Sequence, residues 1–188
     1  NPMNHVHLIA GRSGSEMNAL DALILPNLTD SRPPTIENVT LFDQNWREIE
    51  TGGKDQRIKL SGKTRIVVRA YDQADGNSER RRLGVYKIGY QLIKPEGSAV
   101  TEVNWTIIFD CLPVAAAVPL VYANGSKSGA TGETIFNYIV TNHVRGDDFR
   151  EDFFDVGPLP AGIYTLRVMV ADYFGNISNK DISIEVLK

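Results

Sequence analysis

The stretch Pro160-Ala-Gly-Ile-Tyr-Thr-Leu-Arg-Val-Met-Val-Ala-Asp172 decides the fold class of this 188-residue chain. It begins at a Pro/Gly turn, continues through the β-branched and aromatic run at 163–170, and stops at an aspartate. β-branched and aromatic side chains favour strands, whereas Pro, Gly and Asp favour the turns between them. The stretch therefore predicts a β-strand with a turn on either side.

Six other segments of the chain have the same character. Each is five to nine residues long, is rich in β-branched or aromatic residues, and is bounded by Gly, Pro, Asn or Asp. Beyond residue 34, no segment of about 11 or more residues carries apolar side chains at the helical period of about 3.6 residues. We therefore predict an antiparallel all-β fold. Its other strands are expected at 57–61, 64–71, 85–93, 103–109, 134–140 and 182–187.

Two strand ends in this chain look alike. Ala70-Tyr-Asp72 leads into Asp75-Gly-Asn77, and Ala171-Asp172 leads into Phe174-Gly-Asn176. Gly and Asn supply the conformations that reverse a strand, and Asp can accept hydrogen bonds from the turn backbone. These ends resemble the edge turns of immunoglobulin-like and fibronectin-type sandwiches, and 160–167 resembles their penultimate strand. The resemblance implies an immunoglobulin/fibronectin-like antiparallel β-sandwich.

A domain boundary is predicted at Pro26-Asn-Leu-Thr-Asp-Ser-Arg-Pro-Pro34. Paired prolines hold the backbone extended and resist both helix and central strand, so this stretch is typical of a linker. It separates a short N-terminal appendage, residues 1–33, from the sandwich, residues 34–188. Within the appendage, 17–25 favours a short helix or a buried strand.

The sandwich is larger than its simplest relatives. It has about 155 residues, compared with the roughly 100 of a simple immunoglobulin domain. We therefore expect extra strands or long loops, at 112–133 and 141–158.

Composition argues against several classes of protein. The formal net charge of −3 argues against a dedicated nucleic-acid binder, which needs a basic surface facing the phosphates. No run of about 18 or more apolar residues is present, so no membrane-spanning segment is expected. The single cysteine, Cys111, excludes an intrachain disulfide framework, and its apolar neighbours favour a buried, inert thiol.

Two of the three histidines are His5 and His7, in a segment with the character of a strand. Successive side chains of a strand alternate between faces, so these two point the same way, roughly 6.5–7 Å apart along the strand. This arrangement suits two imidazoles that share one site, one binding a metal and the other handling a proton. Two histidines on the exposed face of an edge strand are the alternative that the spacing leaves open.

The surrounding sequence resembles the end of a lysostaphin/LytM-like zinc endopeptidase domain, a class of enzymes that cut peptidoglycan. The resemblance rests on Asn4-His-Val-His-Leu-Ile-Ala10, the Gly/Ser-rich turn at Gly11–Ser15, Asn18-Ala-Leu20 and the linker that begins at Pro26. Leu8 departs from the aromatic residue that the family often has there.

The resemblance implies that His7 is a zinc ligand and that His5 assists catalysis. The family's other two ligands come from an upstream His-x-x-x-Asp motif, which is absent before His5. Because a catalytic zinc site needs three protein ligands, we expect this chain alone to bind no cofactor and to be non-catalytic. Zinc is implied only for an intact parent, of which 1–33 would be the C-terminal peptidase remnant and linker.

The expected function is that of an accessory or binding module of a bacterial cell-envelope zinc endopeptidase. The module would position the catalytic domain, or bind cell wall or a partner, in the periplasm or outside the cell. Its expected partners are the peptidase domain of the same parent chain and peptidoglycan or an envelope protein. Nucleic acid and a membrane span are not expected.

A free-standing adhesion or carbohydrate-binding sandwich is the first alternative. In that case the histidine pair is incidental, and exposed aromatic rings stack on sugars. Aromatic side chains in a sandwich more often fill the core, and spacing does not separate the two cases. The candidate rings are Trp46, Trp105, Tyr122 and Tyr138.

A self-sufficient metalloenzyme that uses His7, His143 and Asp147 is the second alternative. His143 and Asp147 have the His-x-x-x-Asp spacing, but they follow His7 in the chain, which reverses the family's order. The stretch 143–147 is typical of a polar loop that follows a strand rather than of a rigid ligand platform.

Charged clusters are a further source of candidate sites. Calcium prefers several oxygen ligands, but no ligand loop has the spacing of a known calcium motif, so solvated acidic turns are the favoured interpretation. The cluster Glu79 and Arg80–Arg82 favours a solvated hairpin or a surface that contacts another domain over a binding site for an anionic polymer. The acidic candidates are Asp147, Asp148, Glu151, Asp152 and Asp155, with Asp72, Asp75 and Asp172 at the turns.

Overall fold

The computed structural model describes residues 8–23, 25–50, 57–78, 80–127 and 133–188. Strands dominate these residues, and the helical elements are single turns. The strands are β1 (Ala10–Arg12), β2 (Ser15–Met17), β3 (Thr35–Asp43), β4 (Ile58–Leu60), β5 (Lys63–Tyr71), β6 (Lys87–Ile93), β7 (Asn104–Ile108), β8 (Asn137–Ile139), β9 (His143–Arg145), β10 (Asp148–Arg150), β11 (Phe154–Asp155), β12 (Gly162–Ala171) and β13 (Ile177–Val186). The helices are α1 (Ala19–Ala22) and α2 (Val118–Val121), the latter preceded by a 3-10 turn at Ala115–Ala117.

The strands form two main sheets and a separate hairpin. The larger sheet has the order β10-β9-β7-β6-β12-β13-β4. The smaller sheet is built on β5, which pairs with β3 along one edge and with β8 and β11 along the other. β1 and β2 pair only with each other. Most pairs are antiparallel, but β4 joins β13 and β9 joins β7 in parallel.

One hydrophobic core joins the two sheets. Alternation along β12 explains how: Tyr164, Leu166, Val168 and Val170 are buried, while the residues between them are half-buried on the other face. Each fully buried Leu, Ile or Val contributes roughly 1.5–3 kcal/mol. The all-β sandwich predicted from the sequence is thereby confirmed. The other fully buried side chains of this core include Leu41, Ile66 and Val68 of the smaller sheet and Ile88, Ile107 and Ile184 of the larger one.

The entry to β12 adopts the arrangement known in immunoglobulin-type sandwiches as a tyrosine corner. Tyr164 lies at the start of the strand, and its hydroxyl donates a hydrogen bond to the carbonyl oxygen of Pro160 at 3.0 Å. The ring itself is buried. The Pro/Gly turn before β12, which the sequence indicates, is therefore fixed by a hydrogen bond from a buried tyrosine.

The structure corrects three details of the predicted strands. β3 is a strand that the sequence did not predict. Its pattern is weak because only some of its side chains alternate towards the core and a bulge between Ile36 and Asn38 interrupts its register. β13 begins at Ile177, five residues before the predicted start. The stretch 143–147, interpreted as a polar loop, instead contains β9, because Val144 is buried and pairs with Ile107.

The two regions expected to hold extra structure differ from each other. Residues 141–158 supply three short strands, β9, β10 and β11, at the edges of both sheets. In 112–127 the described residues contain the 3-10 turn and α2 instead of strands. No described helix is long and apolar enough to cross a membrane, in line with the expectation from hydropathy.

Candidate functional site

The histidine pair His5 and His7 lies outside the described residues, so its predicted role stays a prediction. His143, the third histidine, lies in β9, where its Nε2 is 3.1 Å from Oδ2 of Asp148. Asp147 is exposed in the turn between β9 and β10. Among described residues, neither His143 nor Asp147 belongs to a group of three potential metal ligands.

The appendage packs against one end of the larger sheet, where β7 ends. The Asn18 backbone N–H donates to the carbonyl oxygen of Asp110 at 2.8 Å, and the Leu112 N–H donates to that of Glu16 at the same distance. Met17 forms a β-bridge with Cys111 between them. Asn18 also caps α1, since its Oδ1 accepts from the Leu20 N–H. The hairpin and helix that follow the histidine segment therefore have a defined position on the sandwich.

Both α1 and the linker are held at the turn between β12 and β13. The Tyr173 hydroxyl donates to Asp21 at 2.8 Å, and Asn176 Nδ2 donates to the carbonyl oxygen of Asp30 at 2.9 Å. Ser31 donates from both its backbone N–H and its hydroxyl to Asp75, in the turn after β5. The two similar strand ends recognised in the sequence are thus the two turns that bind the linker.

A cavity of about 460 Å³ lies between the appendage and the sandwich. Six of its lining residues are aromatic, and burial raises the pKa of Tyr86, Tyr122 and Tyr138. The Tyr138 hydroxyl accepts a hydrogen bond from the Val85 N–H at 3.3 Å deep in the core. The polar groups of the lining include Asp30 and Asp72.

Apolar side chains of the appendage are exposed although its backbone is bound. Ile9 is 73% exposed and Leu8 is 54% exposed, and Leu112, which lies on the sandwich beside Glu16, is 63% exposed. Isolated exposed hydrophobic residues are ordinary, but an accumulation on one segment is typical of a contact surface. The other exposed apolar residues of this segment are Met17, Leu23, Leu25 and Leu28.

The acidic candidates fall into two groups in the structure. In 147–155 they are ordinary surface carboxylates: Glu151 pairs with Arg65 at 2.8 Å, and Asp155 accepts from the Gly157 N–H in an Asx turn. The expectation of solvated side chains is wrong for Asp72 and Asp172, which are 8% and 2% exposed. Both approach Asp30, a linker residue that sequence reasoning did not select, because no local pattern relates it to turns more than 40 residues away.

Arg82 and Cys111 are two further sequence candidates whose surroundings the structure describes. Arg82 pairs with Glu37 at 2.8 Å and lies over the Tyr71 ring, so it joins two parts of the sandwich rather than an anionic ligand. Cys111 is half-buried, and burial raises the pKa of its thiol, which agrees with an unreactive cysteine.

Of the four aromatic candidates, Trp46 is the most exposed, at 44%. It lines a second cleft, of about 580 Å³, together with Arg69, Asn124 and Asn137. Its backbone has a φ of 62°, a left-handed conformation that is uncommon for a bulky residue. Tyr138 is fully buried, so it belongs to the core.

A scan against protein-family models and searches of curated proteins and of solved structures each find no match for this chain.

Proposed function

We propose that this chain is the non-catalytic accessory module of a bacterial cell-envelope zinc endopeptidase and that it positions the peptidase domain. The observation that supports the proposal is the docked appendage. The residues that directly follow the histidine segment are bound to the sandwich through Asn18, Glu16, Asp21 and Asp30. A domain that ends at this segment would be held in a fixed orientation relative to the sandwich.

The exposed apolar residues of the appendage support the same function. A peptidase domain packed on this end would cover Leu8, Ile9 and Leu112, which now face solvent. In that parent, the resemblance assigns zinc binding to His7 and assistance in catalysis to His5. The chain itself would contribute orientation, and the placement in the envelope follows from the peptidoglycan substrate of the family.

The test uses the full-length protein that contains this chain, with purified peptidoglycan as the substrate. We expect stoichiometric zinc that the His7→Ala variant loses. We also expect Leu112→Glu to slow hydrolysis while zinc content is unchanged, because the new charge disrupts the apolar contact. Leu187→Glu is the matched control, since Leu187 is 41% exposed and directly follows the last residue of β13.

Two results would contradict the proposal. A full-length protein without zinc or peptidoglycan hydrolysis would refute the peptidase parent. Equal rates for Leu112→Glu and Leu187→Glu would refute the positioning role, even in an active enzyme.

The cleft beside Trp46 supports carbohydrate binding as a second candidate function. Sugar sites combine an exposed aromatic face with convergent polar groups, and this cleft offers Trp46 with an arginine and two asparagines. Arg69 Nε donates to Asn137 Oδ1 at 3.0 Å, which fixes both side chains at the wall of the cleft. The unusual φ of Trp46 is maintained by Asp43, whose Oδ1 accepts from the N–H groups of the two flanking residues.

Calorimetric titration with soluble glycan fragments of peptidoglycan tests this second function. Binding that Trp46→Ala abolishes and Phe174→Ala retains would establish the cleft, since Phe174 is 42% exposed and lies outside it. The absence of saturable binding by the unaltered chain would reject it.

A further inference from the structure

Three aspartates from distant parts of the chain meet where the linker crosses the sandwich. Asp72 directly follows β5, Asp172 directly follows β12, and Asp30 belongs to the linker. One carboxylate oxygen of each lies within 4.8 Å of the other two. This arrangement differs from an acidic surface patch, because Asp72 and Asp172 are almost completely buried and Asp30 is half-buried.

One oxygen of this cluster lacks a partner. Oδ1 of Asp72 is buried, and among the described residues nothing donates a hydrogen bond to it. Buried carboxylate oxygens are almost always hydrogen-bonded, and leaving one unpaired is unfavourable. No described lysine or arginine forms an ion pair with Asp30, Asp72 or Asp172. The site therefore has excess negative charge and an unused acceptor.

We propose that Asp30, Asp72 and Asp172 bind a calcium ion that fastens the linker to the sandwich. The inference is independent of the proposed peptidase parent. It assigns a metal to residues 30, 72 and 172, whereas zinc in the parent would involve His7.

The geometry of the carboxylates fits a single ion. Calcium binds oxygen at about 2.3–2.6 Å, so two ligand oxygens on opposite sides of one ion are about 4.8 Å apart. The three oxygens fall within that limit. An all-oxygen ligand set favours a hard cation over zinc, and flexible turns favour calcium over the strict octahedron of magnesium. Water and backbone carbonyl oxygens would complete the six to eight ligands that calcium takes, as is usual in such sites.

Asn176 holds two of the proposed ligand residues, Asp172 and Asp30, in place through hydrogen bonds. Its backbone N–H and its Nδ2 donate to the two oxygens of Asp172, at 2.8 and 2.6 Å. Its Nδ2 also donates to the carbonyl oxygen of Asp30 at 2.9 Å. The side chain thereby fixes the distance between the linker ligand and the β12 ligand, which lowers the cost of ordering them around an ion.

The electrostatics of Asp72 agree with a cation site. The pKa of Asp72 is raised to about 6, chiefly by burial and also by the charges of Asp30 and Asp172, against one backbone hydrogen bond from Gln73 that lowers it. A bound divalent cation would offset both the cost of burying this charge and its repulsion by the two neighbouring carboxylates. Asp75, the next acidic residue of the turn, is already occupied by Ser31.

Terbium luminescence and calorimetry test the proposal on the whole chain. Asp30 and Asp72 line the same cavity as Tyr86 and Tyr138, so tyrosine excitation should sensitise a terbium ion in the site. We expect one terbium per chain, displaced by calcium at micromolar to millimolar concentration and only at higher concentration by magnesium. Asp72→Asn should weaken calcium binding at least tenfold, whereas Asp147→Asn, in an exposed turn, should leave it unchanged.

Thermal unfolding provides a second test if the calcium affinity of a variant is hard to measure by titration. With chelator present, Asp72→Asn should unfold at a higher temperature than the unaltered chain, because it removes a buried, repelled charge. With calcium present the order should reverse. The absence of saturable calcium binding up to about 10 mM, equal affinity in Asp72→Asn, or the same order in both conditions would each overturn the proposal.

Discussion

Asn176 donates from Nδ2 to the carbonyl oxygen of Asp30 at 2.9 Å, across 146 residues of sequence. The same side chain donates to Asp172, which directly follows β12. One asparagine therefore connects the linker, the turn and the cluster of carboxylates. The position of the linker therefore depends on contacts with the turn between β12 and β13, in addition to the linker's own sequence.

Replacing Asn176 by alanine should release the linker. The variant loses both side-chain hydrogen bonds, to Asp30 and to Asp172, and leaves the carbonyl oxygen of Asp30 without its donor. We expect the free energy of unfolding to fall by about 1–3 kcal/mol, measured by urea denaturation. Asn179→Ala is the control, because Asn179 is exposed on β13; equal losses in the two variants would show that the linker contact contributes nothing.

The stability of the calcium-free chain should depend on the ionisation of Asp72. Its pKa is about 6 in the folded protein, compared with an ordinary value of 3.8 for an exposed aspartate, so between these limits the folded state holds a proton that the unfolded chain has released. The contribution of Asp72 to stability is therefore full below about pH 4 and is lost as the pH rises through 6. This rise in the pKa of Asp72 corresponds to a loss of roughly 3 kcal/mol in the free energy of unfolding at neutral pH.

The difference between the unaltered chain and Asp72→Asn isolates this effect. Asp110 and Asp181 act in the opposite sense at lower pH, because Arg145 and Arg167 lower their pKa values. Urea denaturation of both proteins from pH 4 to 8 should give a difference that changes between pH 4 and 6 and is constant above pH 7. A difference independent of pH would contradict the assignment.

Tyr164→Phe should destabilise the sandwich without altering its surface. The hydroxyl donates to the Pro160 carbonyl at 3.0 Å while the ring is buried, so the variant removes one partly buried hydrogen bond. We expect a loss of about 1–2 kcal/mol, measured by thermal or urea unfolding. Tyr173→Phe should have a smaller effect, since its hydrogen bond to Asp21 is exposed.

Gly89→Ala should disrupt the pairing of β6 with β7. A Cβ at this position would clash with the backbone carbonyl of Asn104, and the backbone atoms of two paired strands inside a sheet have little room to move. The register irregularity between Ile88 and Gly89 reflects this close approach. We expect a loss of roughly 3 kcal/mol or more.

Gly84→Ala is the matched control for Gly89→Ala. A Cβ at Gly84 would make only an ordinary contact of 3.6 Å with the Tyr138 hydroxyl. Circular dichroism and urea unfolding of the two variants should therefore differ clearly. Similar stability of both would show that β7 can shift away from β6.

The sequence predicted the strands whose side chains alternate or are uniformly apolar, because such patterns respond to burial on one or both faces. Thr64–Tyr71 and 163–170 are examples, and each forms an interior strand of its sheet. It missed β3 and β9, where few side chains are buried and pairing with a neighbouring strand decides the conformation. Strands with so few buried side chains have weak local signals.

For the candidate site, the sequence determined that two aspartate turns of the same type, at Asp72 and Asp172, end two strands of the sandwich. It also indicated a linker around Asp30. Only the tertiary structure decided that the two turns lie at the same end of the sandwich and that the linker crosses between them. The physical reason is that turn chemistry is local, whereas the distance between carboxylates follows from sheet order, which the packed core sets.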